Sequence, residues 1–296
     1  MTLSTSAAAA AIRSTAQVAR RQRISGLSAW VFGGATSLGV IVLIFLAIDT
    51  VLSGGSRLSW DFLTSYPSRF AERAGLRSSI LGTAWVLGLT VVMVIPVAIA
   101  TAVWIEEFAP RGRLLNVVKL NLANLAGVPS IIYGVLGLVI FVRLLGLGPS
   151  ILAGALTLFL MILPMTVVAA QESISQVPSS LRDGSLALGA TRWQTVWHHV
   201  LPGAAPGIAT GVILAISRAA GETAALIMIG AFAFIAFDNT SPLDDFTTVP
   251  IQIYNWTIRP QEAFRQNAAA SIIVLMVAVM TFNLTAAVIR ERFRGD

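Results

Sequence analysis

The chain has no cysteine in its 296 residues, which excludes disulfides and thiolate metal sites and says nothing about redox compartment. It is also poor in charge. Asp, Glu, Lys and Arg make up 11% of the sequence, against roughly 25% in soluble domains, so a soluble globular protein is excluded. No basic face interleaved with aromatic platforms is present, which argues against nucleic-acid binding. No Gly-x-x-x-x-Gly-Lys-Ser/Thr phosphate loop occurs, so the chain does not hydrolyse ATP by that device. No nucleophile–base pair or metal-ligand cluster stands out, and an enzymatic role is not expected. The two histidines, His198 and His199, are adjacent and point to different faces of a helix. There is no low-complexity linker, no separate soluble domain and no convincing internal repeat.

What remains is apolar. Hydrophobic residues make up 56% of the chain, and the mean hydropathy is +0.80. Charge is missing from Ile24 to Ile48, Ser78 to Ile105, Leu120 to Val142, Leu144 to Gln171 and Gln266 to Ile289. Each gap exceeds the ~20 residues that cross a hydrocarbon core. A sixth apolar run, from about Pro206 to Phe237, is interrupted only by Arg218 and Glu222. The expected fold class is therefore an all-α polytopic membrane protein with six transmembrane helices. Arg13, Arg20, Arg21 and Arg23 precede the first run, which is too long for a signal-peptide core and is closed by no small-residue cleavage pattern. With the N-terminus inside, twelve Arg and Lys fall in inner segments and seven in outer ones, with Arg218 set aside in the membrane. That bias places both termini in the cytoplasm. The expected layout is a cytoplasmic segment 1–27, a six-helix domain 28–290 with a cytoplasmic loop at about 172–205, and a tail 291–296.

Between the spans, Gly146-Leu147-Gly148-Pro149 joins the third and fourth as a tight hairpin. Asn121 and Asn124 share one face of the third span and are expected to bond a neighbouring helix. Pro96, Pro129 and Pro164 fall inside spans, where each bends its helix for packing or marks a break near a pathway. In the long inner loop, Trp193, Val196, Trp197 and Val200 recur at helical spacing and form one apolar stripe, with Arg192, Gln194, Thr195 and His198 pointing elsewhere. Gly189 separates this stripe from the helix-forming stretch Arg182 to Leu188 and permits a sharp bend. Pro202 and Pro206 are expected to end the loop helix before the next span. Two short helices projecting into the cytoplasm result. They either lie on the lipid surface or dock into a groove on a soluble partner.

Arg218 and Glu222 stand four residues apart and are expected to share a helix face. An Arg at mid-membrane costs about 2.5–3.5 kcal/mol on translocon scales, whereas a helical i,i+4 pair returns only ~0.2–0.5 kcal/mol. The face therefore meets water, other charges or a partner helix. One reading is a packed salt bridge between spans or subunits. The other is an anion contact, because Arg offers a planar fork of donors matched to phosphate oxygens.

The loop resembles a family pattern. Permease subunits of ABC importers carry Glu-Ala-Ala, three residues, Gly, nine residues, Ile, one residue, Leu-Pro. Here Asp183-Gly184-Ser185, Gly189, His199 and Leu201-Pro202 keep that spacing, with Asp for Glu, Gly-Ser for Ala-Ala and His for Ile. Furthermore, PSIIYGVLG at 129–137, SRAAGETA at 217–224, VPIQIYNW at 249–256 and the stretch Arg182 to Trp193 look like the phosphate-uptake (PstA) permease subfamily. The resemblance implies a type I, MetI-like permease architecture in a bacterial inner membrane. It implies a coupling loop of Arg182, Asp183, Gly184, Ser185, Leu188, Gly189, Trp193, Leu201 and Pro202, and a phosphate pathway at Arg218 and Glu222. It implies a PstC-like second permease, a PstB-like ATPase dimer that binds the ATP and Mg, a PstS-like phosphate-binding protein, and no cofactor in this chain. One departure is notable: where relatives carry an Arg shortly after the Leu-Pro of the fourth span, Leu163-Pro164 is followed here by Met165 and no Arg. Permeases for sulfate, molybdate or amino acids, a proton-coupled carrier using Glu222 and a non-transporting scaffold are the competing readings.

Overall fold

A computed structural model describes residues 30–231 and 234–292; the N-terminal segment 1–27 and most of the expected tail lie outside the described residues. The chain divides into two units, Met1–Leu52 and Ser53–Asp296. The first contains most of helix α1, Trp30–Arg57, a 28-residue helix with hydropathy 2.4. The second contains everything else. Its helices are α2 (Trp60–Thr64), α3 (Arg77–Phe108), α4 (Arg113–Ala126), α5 (Ser130–Leu144), α6 (Ile151–Ser175), α7 (Ser179–Ala187), α8 (Arg192–Ala220), α9 (Ala224–Met228), α10 (Val249–Thr257) and α11 (Glu262–Arg292). The only β pairing among the described residues is an isolated bridge between Ser150 and Asp245. Five helices are long and apolar enough to cross a membrane, and α4 with α5 makes a sixth when the pair is taken as one span. The fold is all-α and polytopic, as the charge gaps predict.

Helix α6 is the core of the second unit. In its most apolar stretch 61% of residues are buried, compared with 6% in α11. It packs against α3, α4, α5 and α8. Its contact with α8 is unusually close, for a reason written in the sequence. Gly203, Gly207 and Gly211 recur every four residues on α8 and face Val177, Ser173 and Ala169 in turn, in antiparallel register. A Cβ at Gly207 would lie 2.5 Å from Ser173 Oγ, and one at Gly211 would lie 2.4 Å from Ala169 Cβ. Small residues at this spacing let two membrane helices approach backbone to backbone.

The structure decides one open alternative about the spans and corrects two expectations. First, α3 and α6 run through Pro96 and Pro164 without interruption, and only Pro129 sits at a break. There α4 and α5 meet at 99°, because Pro129 is extended (φ −57°, ψ 137°) and has no N–H to continue the ladder. The Tyr133 hydroxyl donates to the Leu125 carbonyl across the bend at 2.8 Å, which satisfies a group the break would orphan. Second, Asn121 and Asn124 are exposed on α4, and the Asn121 amide bonds its own helix at Val117 O (2.8 Å) rather than a neighbour. Third, the last charged span does not run from Pro206 to Phe237. It begins at Arg192 and ends at Ala220. A π-helical turn over Val196–Val200, closed by Leu201 N–H on Val196 O, carries the chain past Pro202, and Pro206 lies inside the same helix.

At the end of the bundle away from α7, the loops are firmly tied. Arg57 Nε donates to Asn267 Oδ1 at 2.7 Å, and its Nη2 donates to Ala71 O at 2.7 Å. Trp256 of the VPIQIYNW segment packs between the rings of Phe62 and Phe264. The loop before α10 supplies carbonyls of Pro242 and Asp244 to the free N–H groups of Leu152 and Ile151 at the start of α6. Asp244 itself accepts from the N–H of Thr240 and Ser241 at 2.7 and 2.9 Å, which holds its carboxyl below the ordinary range.

The glycine stripe makes a direct prediction. Gly211→Val destabilises the solubilised protein by about 1–3 kcal/mol, as overpacking does, and lowers its thermal midpoint. Gly88→Ala on α3, where no atom lies within 4 Å of the new Cβ, leaves the midpoint unchanged.

Candidate functional site

Two groups of residues were predicted to matter, and α8 carries part of both. The first is the loop. Helix α7 ends in a Schellman motif: Gly189 N–H bonds Leu186 O and Ala190 N–H bonds Ser185 O, at 3.0 and 3.2 Å. This closure needs the left-handed conformation that Gly189 adopts, φ +87°. Two residues later Thr191 starts α8 with a capping box. Its Oγ1 accepts from Gln194 N–H, and Gln194 Oε1 accepts from Thr191 N–H. The bend expected at Gly189 is present. The second helix, however, is not short. It is the first turn of the 29-residue α8.

The residues assigned to the loop divide by burial. Asp183, Gly184, Leu188, Gly189 and Pro202 are exposed, Leu201 is half-buried and Ser185 is buried. Leu188 is 91% exposed. Arg182 is instead an internal anchor. It donates to the Val177 and Ile174 carbonyls at 2.5 and 2.9 Å, and its Nε donates to Glu107 Oε1 at 2.9 Å. One side chain therefore ties α7 to the ends of α6 and α3. Beside it, Lys119 pairs with Glu106 at 2.6 Å and ties α4 to α3.

The apolar stripe is split. Val196 and Val200 are buried with Val103, Ile174 and Ile208, but Trp193 and Trp197 are each 59% exposed. Thr195, read as outward-facing, is buried and meets Ser185 at 3.0 Å between hydroxyls. The π turn rotates the stripe, so the strict helical spacing fails there. Sequence reasoning missed the Ser185–Thr195 bond, the Glu107 anchor and the glycine stripe. For the last two the signal was available: acids closing a charge-free run, and three glycines four apart.

The second group is the intramembrane charge pair, where the sequence reading needs correction. Arg218 and Glu222 do not share a helix face, because α8 ends between them. Ala220 is its last residue and Gly221 its cap. Glu222 turns to accept the Ala225 N–H at 3.1 Å, at the start of α9. The two charges form no ion pair with each other among the described residues. Each is placed where backbone polarity favours it: the cation in the last turn of α8, and the carboxylate on a free N–H. Arg218 is exposed in the chain, and its described contact is Nη1 to Met165 Sδ at 3.9 Å. Met165 is the residue that follows Leu163-Pro164. Gly134 of α5 packs so closely on Ala225 that a Cβ there would lie 2.7 Å from its carbonyl oxygen. Thus the 129–137 segment meets the residue that directly follows the 217–224 segment. Among the described residues no group of three or more His, Asp and Glu converges as a metal site.

A polytopic helical bundle with an exposed loop tip and a charged residue in the last turn of a membrane-length helix has the features of a membrane transport component. Residues 94–294 match the family described as "Binding-protein-dependent transport system inner membrane component". The chain belongs to this family, that of ABC importer permeases. It is 32% identical to "Probable ABC transporter permease protein YqgI" of Bacillus subtilis (strain 168) over 275 residues, covering 88% of this chain and 92% of that protein. It is 34% identical over 228 residues to "Phosphate transport system permease protein PstA 1" of Mycobacterium tuberculosis (strain CDC 1551 / Oshkosh), covering 76% of this chain and 72% of the relative. Among solved structures, a bacterial alginate ABC transporter in complex with an alginate pentasaccharide-bound periplasmic protein superposes with TM-score 0.59 at 18% identity, over 85% of this chain and 91% of that one. At that identity the likeness speaks to fold alone. Family membership sets aside the proton-coupled carrier and the scaffold.

The loop geometry can be tested on this ground. Gly189→Pro forces φ to about −65° where the motif needs a positive value, and it is expected to weaken co-purification of the ATPase severalfold. Unchanged co-purification would place the ATPase contact elsewhere.

Proposed function

We propose that this chain is the permease subunit of an ATP-driven phosphate importer in a bacterial inner membrane, with both termini cytoplasmic and the region 28–290 as its transport domain. The observation that carries this reading is Arg218. A guanidinium with no ion pair among the described residues, held at the end of a membrane helix and open to the chain's surface, is suited to an anion in transit. Glu222, four residues on and engaged with the α9 backbone, limits how tightly that anion is held. The PstA names of several relatives support phosphate over other anions. Sulfate, molybdate or an amino-acid carboxylate would suit the same guanidinium.

In this reading the tip around Asp183, Gly184, Leu188 and Gly189 receives a PstB-like ATPase dimer, which holds the ATP and Mg. A PstC-like permease completes the pathway opposite Arg218, and a PstS-like protein delivers phosphate at the Trp256 end. Movement at the tip reaches Arg218 along one helix, because α8 begins three residues beyond Gly189 and ends two beyond Arg218. The π turn and Pro206 lie within that helix without breaking it.

Reconstitution of the four components tests the proposal. Arg218→Gln is expected to leave the complex assembled and ATP-binding intact while lowering phosphate uptake by about tenfold or more, the scale of a lost charge-assisted hydrogen bond. Normal uptake by the variant removes Arg218 from the pathway. Uptake of sulfate in preference to phosphate by the native complex overturns the substrate.

A further inference from the structure

The exposed tryptophans are not explained by the coupling tip. Trp193 and Trp197 stack with ring centroids 6.1 Å apart and planes 25° apart, and Phe108 leans on Trp193 at 6.3 Å. Together they form an aromatic plate on the outside of the bundle, while Thr195, Val196 and Val200 fill the inside. The plate sits at a defined level. Phe108 ends α3, directly after Glu106 and Glu107, the first charges beyond the run Ser78 to Ile105, so the rings lie beside the end of that apolar run. Tryptophan is favoured at this boundary because its ring is apolar and its N–H is not.

The unpaired charges around the plate, among the described residues, have one sign. Arg111 and Arg113 follow Phe108 by three and five residues, Arg192 precedes Trp193, and all three are exposed. Among the described residues none of them makes an ion pair. The nearby acids are already used, Glu106 by Lys119 and Glu107 by Arg182. Free guanidiniums beside an interfacial aromatic surface fit a phosphodiester headgroup, which accepts paired N–H donors. The cytoplasmic leaflet is where anionic phospholipids attract such residues.

We propose that Phe108, Trp193 and Trp197, with Arg111, Arg113 and Arg192, form an anionic-phospholipid site that holds the first turns of α8 at the bilayer surface. The site is distinct from the coupling tip. Leu188 caps α7, before the Gly189 turn, whereas Trp193 and Trp197 belong to α8, after it, and Phe108 to α3. The loop thus has one end for the ATPase and one for the membrane. The proposal rests on the cytoplasmic placement of the loop and not on phosphate as substrate, so an error in the substrate leaves it standing.

Tryptophan fluorescence tests it. The complex is reconstituted into vesicles of phosphatidylcholine and phosphatidylglycerol, with bromine on the acyl chains of one lipid or the other at equal mole fraction. The chain has seven tryptophans, so the relevant emission is the difference between native protein and the conservative variants Trp193→Phe and Trp197→Phe. Brominated phosphatidylglycerol is expected to quench that emission at least about twofold more than brominated phosphatidylcholine, the direction set by leaflet charge. The excess disappears in the Arg111→Gln/Arg113→Gln/Arg192→Gln variant, which keeps the rings. Equal quenching by both lipids overturns the proposal, since the rings then meet only bulk lipid. Quenching that is absent with the ATPase bound and appears when it is stripped away also overturns it, and assigns the plate to the ATPase.

Discussion

The close contact of α6 with α8 is the constraint on which the rest of the structure depends. Gly203, Gly207 and Gly211 bring the two backbones together over two turns, in an environment where water gives no hydrophobic drive for helix association. This contact fixes α8 along its length. It sets Val196 and Val200 into the cluster with Val177 and Ile174 at one end, and Ala215 and Ala219 against Leu158 and Ile162 at the other. With α8 fixed on α6, the loop at its start and Arg218 near its end become parts of one element.

The loop is tied firmly to the bundle. Its connection to the bundle is polar and redundant: Arg182 to two carbonyls and Glu107, Ser185 to Thr195, and the Thr191–Gln194 box. Buried or part-buried hydrogen bonds to a charged group are worth more than neutral ones, and here they join α3, α6, α7 and α8 at one point. At the far end the helix stops at Gly221, and the two charges separate onto backbone groups that suit them. The break offsets part of the cost of the two charges: a helix end returns about 0.3–1 kcal/mol to a charge of suitable sign, against ~2.5–3.5 kcal/mol for an Arg at mid-membrane.

Much of this was legible from residues alone. Charge-free runs located the spans, because desolvated charge is costly enough to leave a clear gap. The Gly146–Pro149 hairpin and the Gly189 bend were read from turn chemistry, and the loop's spacing pointed to an ABC permease. What failed was the extent of helices at prolines. Pro202 and Pro206 looked like terminators, yet α8 passes both, since neighbouring turns in a packed bundle accept a π register. Pro129, of the same residue type, does break its span, and Tyr133 stabilises that break through a contact eight residues back. The Arg218–Glu222 spacing gave the wrong geometry for a related reason: Gly221 is a helix-stop signal, but Gly203, Gly207 and Gly211 lie inside the same helix, so glycine alone does not mark its end. Arg182, Trp193 and Ser185 carry similar local signals, yet one is an anchor, one a surface ring and one a buried bond. Those roles are decided by α3, α6 and the π turn.

The central claim is that α8 moves as one rigid rod from the loop to the charged break. The absence of native cysteine makes a distance measurement clean. Spin labels at Arg192→Cys and Leu214→Cys, both exposed, stand about 33 Å apart on a continuous helix at 1.5 Å per residue. In the assembled transporter this account predicts that the distance and its width stay the same with and without ATP, while distances from either label to α3 change. A shortened or broadened Arg192–Leu214 distance on ATP addition, from bending at Pro202 or Pro206, would contradict it.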